Sequence, residues 1–316
     1  MTDFMMHQRF LDPALNGDSQ GDAAADPVWL HVNVAEEGAA KRLLDQAPYL
    51  DSTVAGILCA PDTRPHVEDF GKEYLIILRG MNLNPQADAD DMVSLRIWCD
   101  GTRVVSAERR PVMAVRKQLE KMEDSTGPMS AAEVVVGLAV YLIENMGGPI
   151  DGLLEKIDAL EIEALEGKPG DLRSRINHLR EQVLYIRRYL VPMKQAVAQL
   201  QSLAQEWGAE KAARRLRQAS DHLARHIEDL DAARDQLQFQ HEEMVAAISD
   251  RLNRNMYTLS IVAAIFLPLG FLTGLLGINV GGMPGADDGT AFWWVAGGCA
   301  TIAVLQLLYF RRGGWF

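Results

Sequence analysis

Basic side chains vanish from one long stretch of this sequence: between Arg254 and Arg311 there is no Lys or Arg, and the only acids are Asp287 and Asp288. A run so poor in charge excludes an ordinary solvated surface. It divides the chain into a charged soluble part and an apolar C-terminal part. Cysteine is scarce as well. Cys59, Cys99 and Cys299 lie far apart, with no CxxC pair, so they read as buried apolar residues of a reducing compartment rather than disulfides or zinc thiolates. The opening residues, Met1-Thr-Asp-Phe-Met-Met-His, have neither the basic flank nor the apolar run of a secretory signal. No Walker A loop, GxSxG elbow, kinase signature or GxGxxG occurs, which argues against ATP coupling within the chain and against an enzyme. A net charge of −12 over 316 residues argues against nucleic acid as a partner and suits a protein that gathers cations.

Two hydrophobic runs fill the uncharged stretch. Residues 257–276 (YTLSIVAAIFLPLGFLTGLL) and 291–310 (AFWWVAGGCATIAVLQLLYF) are each about 20 residues long, the length a helix needs to cross a bilayer core. Arg251 and Arg254 precede the first run, Arg311 and Arg312 follow the second, and the connecting residues 277–290 carry no basic side chain. The positive-inside rule then puts both termini in the cytoplasm and the loop outside, as expected of a multi-pass protein of a bacterial inner membrane. Phe292, Trp293 and Trp294 fit an outer aromatic belt, and Tyr309, Phe310 and Trp315 an inner one. Pro268 removes a backbone donor inside the first span and predicts a bend, while Gly270 and Gly274, one turn apart, allow close helix approach.

The soluble part reads as α+β. Residues 1–27, rich in Gly, Asp and Ala, read as a flexible tail. Residues 28–128 form an α/β domain, with strands expected at 28–34 and 73–79 and at 94–98 and 103–107, the last two flanking an Asp100-Gly101 hairpin turn. Residues 129–207 are helical, with breaks at Gly147-Gly148-Pro149 and at 167–170, a cap at Asp171 and a kink at Pro192. A stalk helix over 208–256 follows. Leu216, Leu223, Leu230, Leu237 and Met244 recur every seven residues along it, with Ala219, Ile227, Ala233 and Ile248 filling the other half of the seam. With no Pro or Gly from Ala209 until Pro268, the helix would run on into the membrane for about 100 Å at ~1.5 Å per residue. Such a stripe needs partners, from the same chain or from copies of it.

At the outer end of the first span stands Gly277-Ile278-Asn279, followed by Val-Gly-Gly-Met-Pro. A Gly-x-Asn is trivial alone, but its place between two C-terminal spans on a stalk helix resembles the CorA family of metal-ion transporters, whose signature here is Gly-Met-Asn. The Gly-Ile-Asn variant is similar to the zinc-transporting ZntB branch. FLPLGFLTGLLGIN resembles the family's pore helix, NMGGPIDGLLEKIDALEIEAL the helix pair before its willow hairpin, and YLVPMK carries the hairpin's Pro. The resemblance implies an α+β cytoplasmic domain, a long stalk helix and two transmembrane helices assembled as a funnel-shaped homopentamer. Its cargo would be a divalent metal ion, Zn2+ foremost and Mg2+ or Co2+ otherwise, with no resident cofactor. The five first spans would line one axial pore, with Gly277, Ile278 and Asn279 as its selectivity filter. Neutral amide oxygens of Asn279 contacting a hydrated divalent ion make a gentle filter, although Asn also suits a helix C-cap.

Helical spacing puts Gly270, Leu267, Ala263, Leu259 or Ser260, Met256 and Asn253 on one face, and the family's pore-lining positions fall on Asn253, Met256, Leu259, Leu267 and Gly270. The alternative is that these residues face lipid or a neighbouring helix. The family has a hydroxyl where Gly270 stands, so no side-chain ion site is expected at that level. Asp287 and Asp288 would ring the outer entrance and raise the local cation concentration, or form an ordinary solvated turn. His222 and His226, spaced i, i+4, could face one metal ion in the cytoplasm, or be two surface histidines of a charged helix. Tyr257 is the only ionisable side chain in residues 255–286, so no proton carrier is expected within the first span. A membrane-tethered coiled-coil sensor or scaffold would need neither Gly-Ile-Asn nor a kinked span.

Overall fold

The computed structural model describes residues 6–10, 28–61, 63–88, 90–124, 127–128, 130–165, 171–277 and 289–312. They group into two compact units, Met1–His241 and Glu242–Phe316.

The first unit is built on a six-stranded sheet: β1 (Met6–Phe10), β2 (Val28–Asn33), β3 (His66–Asp69), β4 (Tyr74–Met81), β5 (Met92–Cys99) and β6 (Val104–Glu108). Their spatial order is β1-β2-β6-β5-β4-β3, antiparallel throughout except for the parallel β2–β6 pair. The β5–β6 hairpin turns where the sequence places it. Gly101 takes φ 87°, open to a residue without Cβ, and the Asp100 carboxylate accepts from the backbone N–H groups of Thr102 (2.9 Å) and Arg103 (2.6 Å). Buried polar groups on β2 and β6 satisfy one another: Trp29 Nε1 donates to Ser106 Oγ at 2.9 Å, and His31 Nδ1 lies 2.8 Å from the same oxygen. Cys99 is fully buried in β5, and desolvation pushes its thiol up to about 12, so it is chemically inert.

Helices α1 (Ala39–Gln46) and α2 (Ser52–Cys59) cover one face, where Leu43, Leu58 and Val54 meet Leu30, Val32, Trp98 and Val105. After α3 (Met113–Glu123), the opposite face receives α4 (Ala131–Glu144) and α6 (Leu172–Glu206). Gly80 of β4 is the close approach: a Cβ there would lie 2.5 Å from Leu142 Cδ2 of α4. Because both faces are covered, every residue of β4 is buried. α4 is apolar nearly all round. Together with α5 (Gly147–Leu165) it is long and apolar enough to resemble a membrane span, yet most of that stretch is buried inside the unit, as such a helix must be.

Three details depart from the sequence reading. Met6–Phe10, assigned to a flexible tail, form β1, held along β2 by the ladder from Met6↔Val32 to Phe10↔Val28 and by an Arg9–Glu123 ion pair at 3.0 Å. Gly147-Gly148-Pro149 opens α5 instead of separating it from α4, since Pro is tolerated in a first helical turn where its missing N–H has no helical partner anyway. Cys59 and Cys299 are only partly buried. Asp171 does cap α6, accepting from Ser174 N at 3.3 Å, and Pro192 lies inside that helix.

α7 is a single helix, Glu210–Leu276. Its heptad seam is buried by the same chain: Leu216, Leu223, Leu230 and Leu237 are inaccessible, packed in the bundle with α5 and α6. Arg187 of α6 grips Asp231 at 2.5 Å, and Gln236 donates to Glu161 of α5. The coverage ends at Gln240; Val245, Ile248 and Leu252 are exposed.

Candidate ion pathway

The second unit contains the lower and apolar parts of α7 and the helix α8 (Ala291–Arg312). Both helices are long and apolar enough to cross a membrane. Pro268 lacks the N–H that would bond the carbonyl of Ala264, four residues earlier. That carbonyl is satisfied across the hairpin, because Gln306 Nε2 of α8 donates to Ala264 O at 3.3 Å. In hydrocarbon an unpaired carbonyl costs several kcal/mol, so the Pro268 break and Gln306 belong together. Sequence reasoning missed Gln306; its signal is that it is the one amide side chain in the second span.

α8 leaves most of α7 open, but it fixes which side is which. The less exposed residues of the first span are Ile261, Ile265, Leu269 and Leu272. At about 100° per residue they share one side, the side of the α8 contact. The residues read as pore-lining, Met256, Leu259, Ala263, Leu267 and Gly270, are all exposed and centre roughly 180° away. Leu267 is 72% exposed against 6% for Ile261. Asn253 is exposed at the edge of this stripe rather than at its centre.

The stripe does not stop at the first span. Val245, Ile248 and Leu252 continue it downward, while Glu243, Asp250, Arg251 and Arg254 occupy the other side of the helix. A solvated helix segment with one uncovered apolar face of this length is a surface that expects a partner. Thr258, Ser260 and Thr273 each return their hydroxyl to the carbonyl four residues earlier, so they add no free donors to the span. At the top of α7 the Gly277 N–H closes the last turn on Thr273 O at 2.9 Å. Ile278, Asn279, Asp287 and Asp288 lie outside the described residues.

His222 is exposed and His226 half-buried on α7, with His226 packed beside Gly147. Among the described residues no group of three His, Cys, Asp or Glu side chains could hold a metal ion, so the pair gains no third ligand there. Burial holds the His226 pKa below its usual 6.5, helped by His222 and Arg225 and opposed by Asp151 and Asp229. The unfolded chain therefore takes up this proton first, and stability should fall as pH drops below 6.5. Thermal melts of the full chain at pH 7.5 and 5.5 test this: His226→Gln should lose less stability on acidification than the wild type.

The CorA-like Mg2+ transporter protein family matches residues 24–312. The chain belongs to the CorA family. It is 38% identical over 293 residues, 92% of this chain and 88% of the relative, to the divalent cation transporter CmaX of Pseudomonas aeruginosa. It is 33% identical over 267 residues, 84% of this chain and 81% of the relative, to the zinc transport protein ZntB of Pectobacterium carotovorum subsp. carotovorum. The structure of full-length CmaX superposes with a TM-score of 0.76 at 35% identity, covering 97% of this chain and 96% of that one. The CorA magnesium transporter of Methanocaldococcus jannaschii shares the fold, with a TM-score of 0.75 at 17% identity over 92% of this chain and 91% of that one. CorA proteins are divalent-cation transporters, not enzymes.

Proposed function

We propose that this chain carries a divalent metal ion, zinc in preference, across a bacterial inner membrane through an axial pore formed by several copies of α7. The observation that carries this reading is the uncovered apolar stripe from Val245 to Gly270, opposite the α8 contact. In a symmetric ring of five, the number the family resemblance implies, that stripe faces the axis and the charged side faces away. Met256, Leu259 and Leu267 then make apolar constrictions that gate by dewetting. Asn253 contributes a polar group at the stripe's edge, and Gly270 leaves the pore wide and without an ion ligand at its level.

Above them, Gly277, Ile278 and Asn279 form the filter, with the Asn279 amide oxygens contacting the ion's hydration shell. Asp287 and Asp288 of each copy draw cations to the outer mouth, an attraction that salt screens. Both termini lie in the cytoplasm, consistent with Arg251, Arg254, Arg311 and Arg312 flanking the two spans. The preference for zinc rests on the Gly-Ile-Asn variant and on the likeness to ZntB. Uptake of zinc, magnesium and cobalt into liposomes holding the purified chain tests it. Zinc should enter fastest; faster magnesium or cobalt would assign the cargo to those ions, and no flux of any would refute transport.

A further inference from the structure

A cavity of about 330 Å³ opens in the first unit, between α3, α4 and the first turns of α7, and its charge runs against that of the chain. Lys117 and Lys121 enter it from α3, one helical turn apart; Lys211 and Arg215 enter from α7, also one turn apart. Like charges at i, i+4 repel, and cations in the opening turns of a helix oppose its dipole, so the Lys211–Arg215 pair is unfavourable as it stands. Lys117 has a countercharge in Glu120 at 2.7 Å. Lys211 and Arg215 make no ion pair among the described residues.

Gln118 lies between the two lysines of α3 and is only 7% exposed. Its amide rests directly on Gly137, where a Cβ would come within 1.8 Å of Nε2, and it makes no hydrogen bond among the described residues although it lines the cavity. The amide is therefore left to meet whatever fills the cavity. The wall also carries Glu133 and Glu144, so its four cations outnumber its two carboxylates, and together with the Gln118 amide they suit a ligand with several negative oxygens close together.

We propose that this cavity binds an oligophosphate anion. Lys211 and Arg215 take its charge, and Gln118 donates to a phosphate oxygen. The bound anion ties α3 to the opening turns of α7. Tyr141, also in the wall, offers a ring for a base should the oligophosphate be that of a nucleotide. The cavity is independent of the transport reading, because it is formed by the first unit alone.

Calorimetric titration of the full-length chain in detergent with pyrophosphate and ATP, against sulfate at matched ionic strength, tests the proposal. Pyrophosphate should bind and sulfate should not. The Lys211→Glu/Arg215→Glu variant should weaken pyrophosphate binding by about tenfold or more, the scale of a charge-assisted pair. Should that variant fail to fold, Gln118→Met, which removes the amide and keeps every charge, is expected to weaken binding as well. ATP binding more tightly than pyrophosphate would assign the ligand to nucleotides, and equal affinity to the phosphate groups alone. Absence of pyrophosphate binding, equal binding of sulfate, or unchanged affinity in a folded variant would overturn the proposal.

Discussion

Replacing Asn279 with Ala should reduce zinc flux by about tenfold or more while leaving the protein folded and assembled. The expectation follows from the place of Gly277-Ile278-Asn279 at the end of α7, whose last turn closes on the Gly277 N–H. A hydrated divalent ion sheds water reluctantly, so its passage depends on oxygens that stand in for outer-shell water. In the proposed pore, removing the amide takes one such oxygen from every copy at once. Losing one hydrogen bond to a charged species is worth about 1.5–3 kcal/mol, which already exceeds a tenfold change in occupancy. Liposome flux on a variant with wild-type mass and melting behaviour is the measurement; unchanged flux would make Asn279 a helix cap and nothing more.

A second large effect should follow from labelling one position on the stripe. Leu267→Cys, in a background with Cys59 and Cys299 changed to Ala, should lose most zinc flux on treatment with a cationic thiol reagent. Cys99 can stay, since it is fully buried with an inert thiol. A fixed positive charge in a narrow, low-dielectric constriction repels a divalent cation by several kcal/mol, enough to stop conduction. Ile261→Cys, on the side buried beside α8, should show little effect under the same treatment. Equal block at both positions, or none at Leu267, would place the ion path elsewhere.

The soluble half was largely legible in the sequence because its signals are local. The Asp100-Gly101 hairpin, the Asp171 cap and the leucine seam from Leu216 to Leu237 each follow from a few neighbouring residues. β1 was not legible: Met-His-Gln-Arg-Phe has little apolar alternation, and the edge of β2 makes it a strand. The sequence left open whether the seam was covered within the chain or between copies. Packing with α5 and α6 answers for Leu216 to Leu237, and the uncovered residues begin below Gln240. Gln306 was invisible for the same non-local reason, since its role is to complete a carbonyl that Pro268 vacates on another helix. Helical spacing puts Met256, Leu259, Ala263, Leu267 and Gly270 on one face, and that this face lines a pore is the proposal made above. The position of α8 adds a second, independent reason to look at that face.

An axial pore requires the uncovered stripe of α7 to meet copies of itself around an axis. Native mass spectrometry of the purified chain in detergent or a lipid nanodisc tests that most directly. The expected species is five times the 35.0 kDa chain. A monomer or dimer as the only species that supports zinc flux would contradict the axial pore, because two or fewer copies of α7 cannot enclose one.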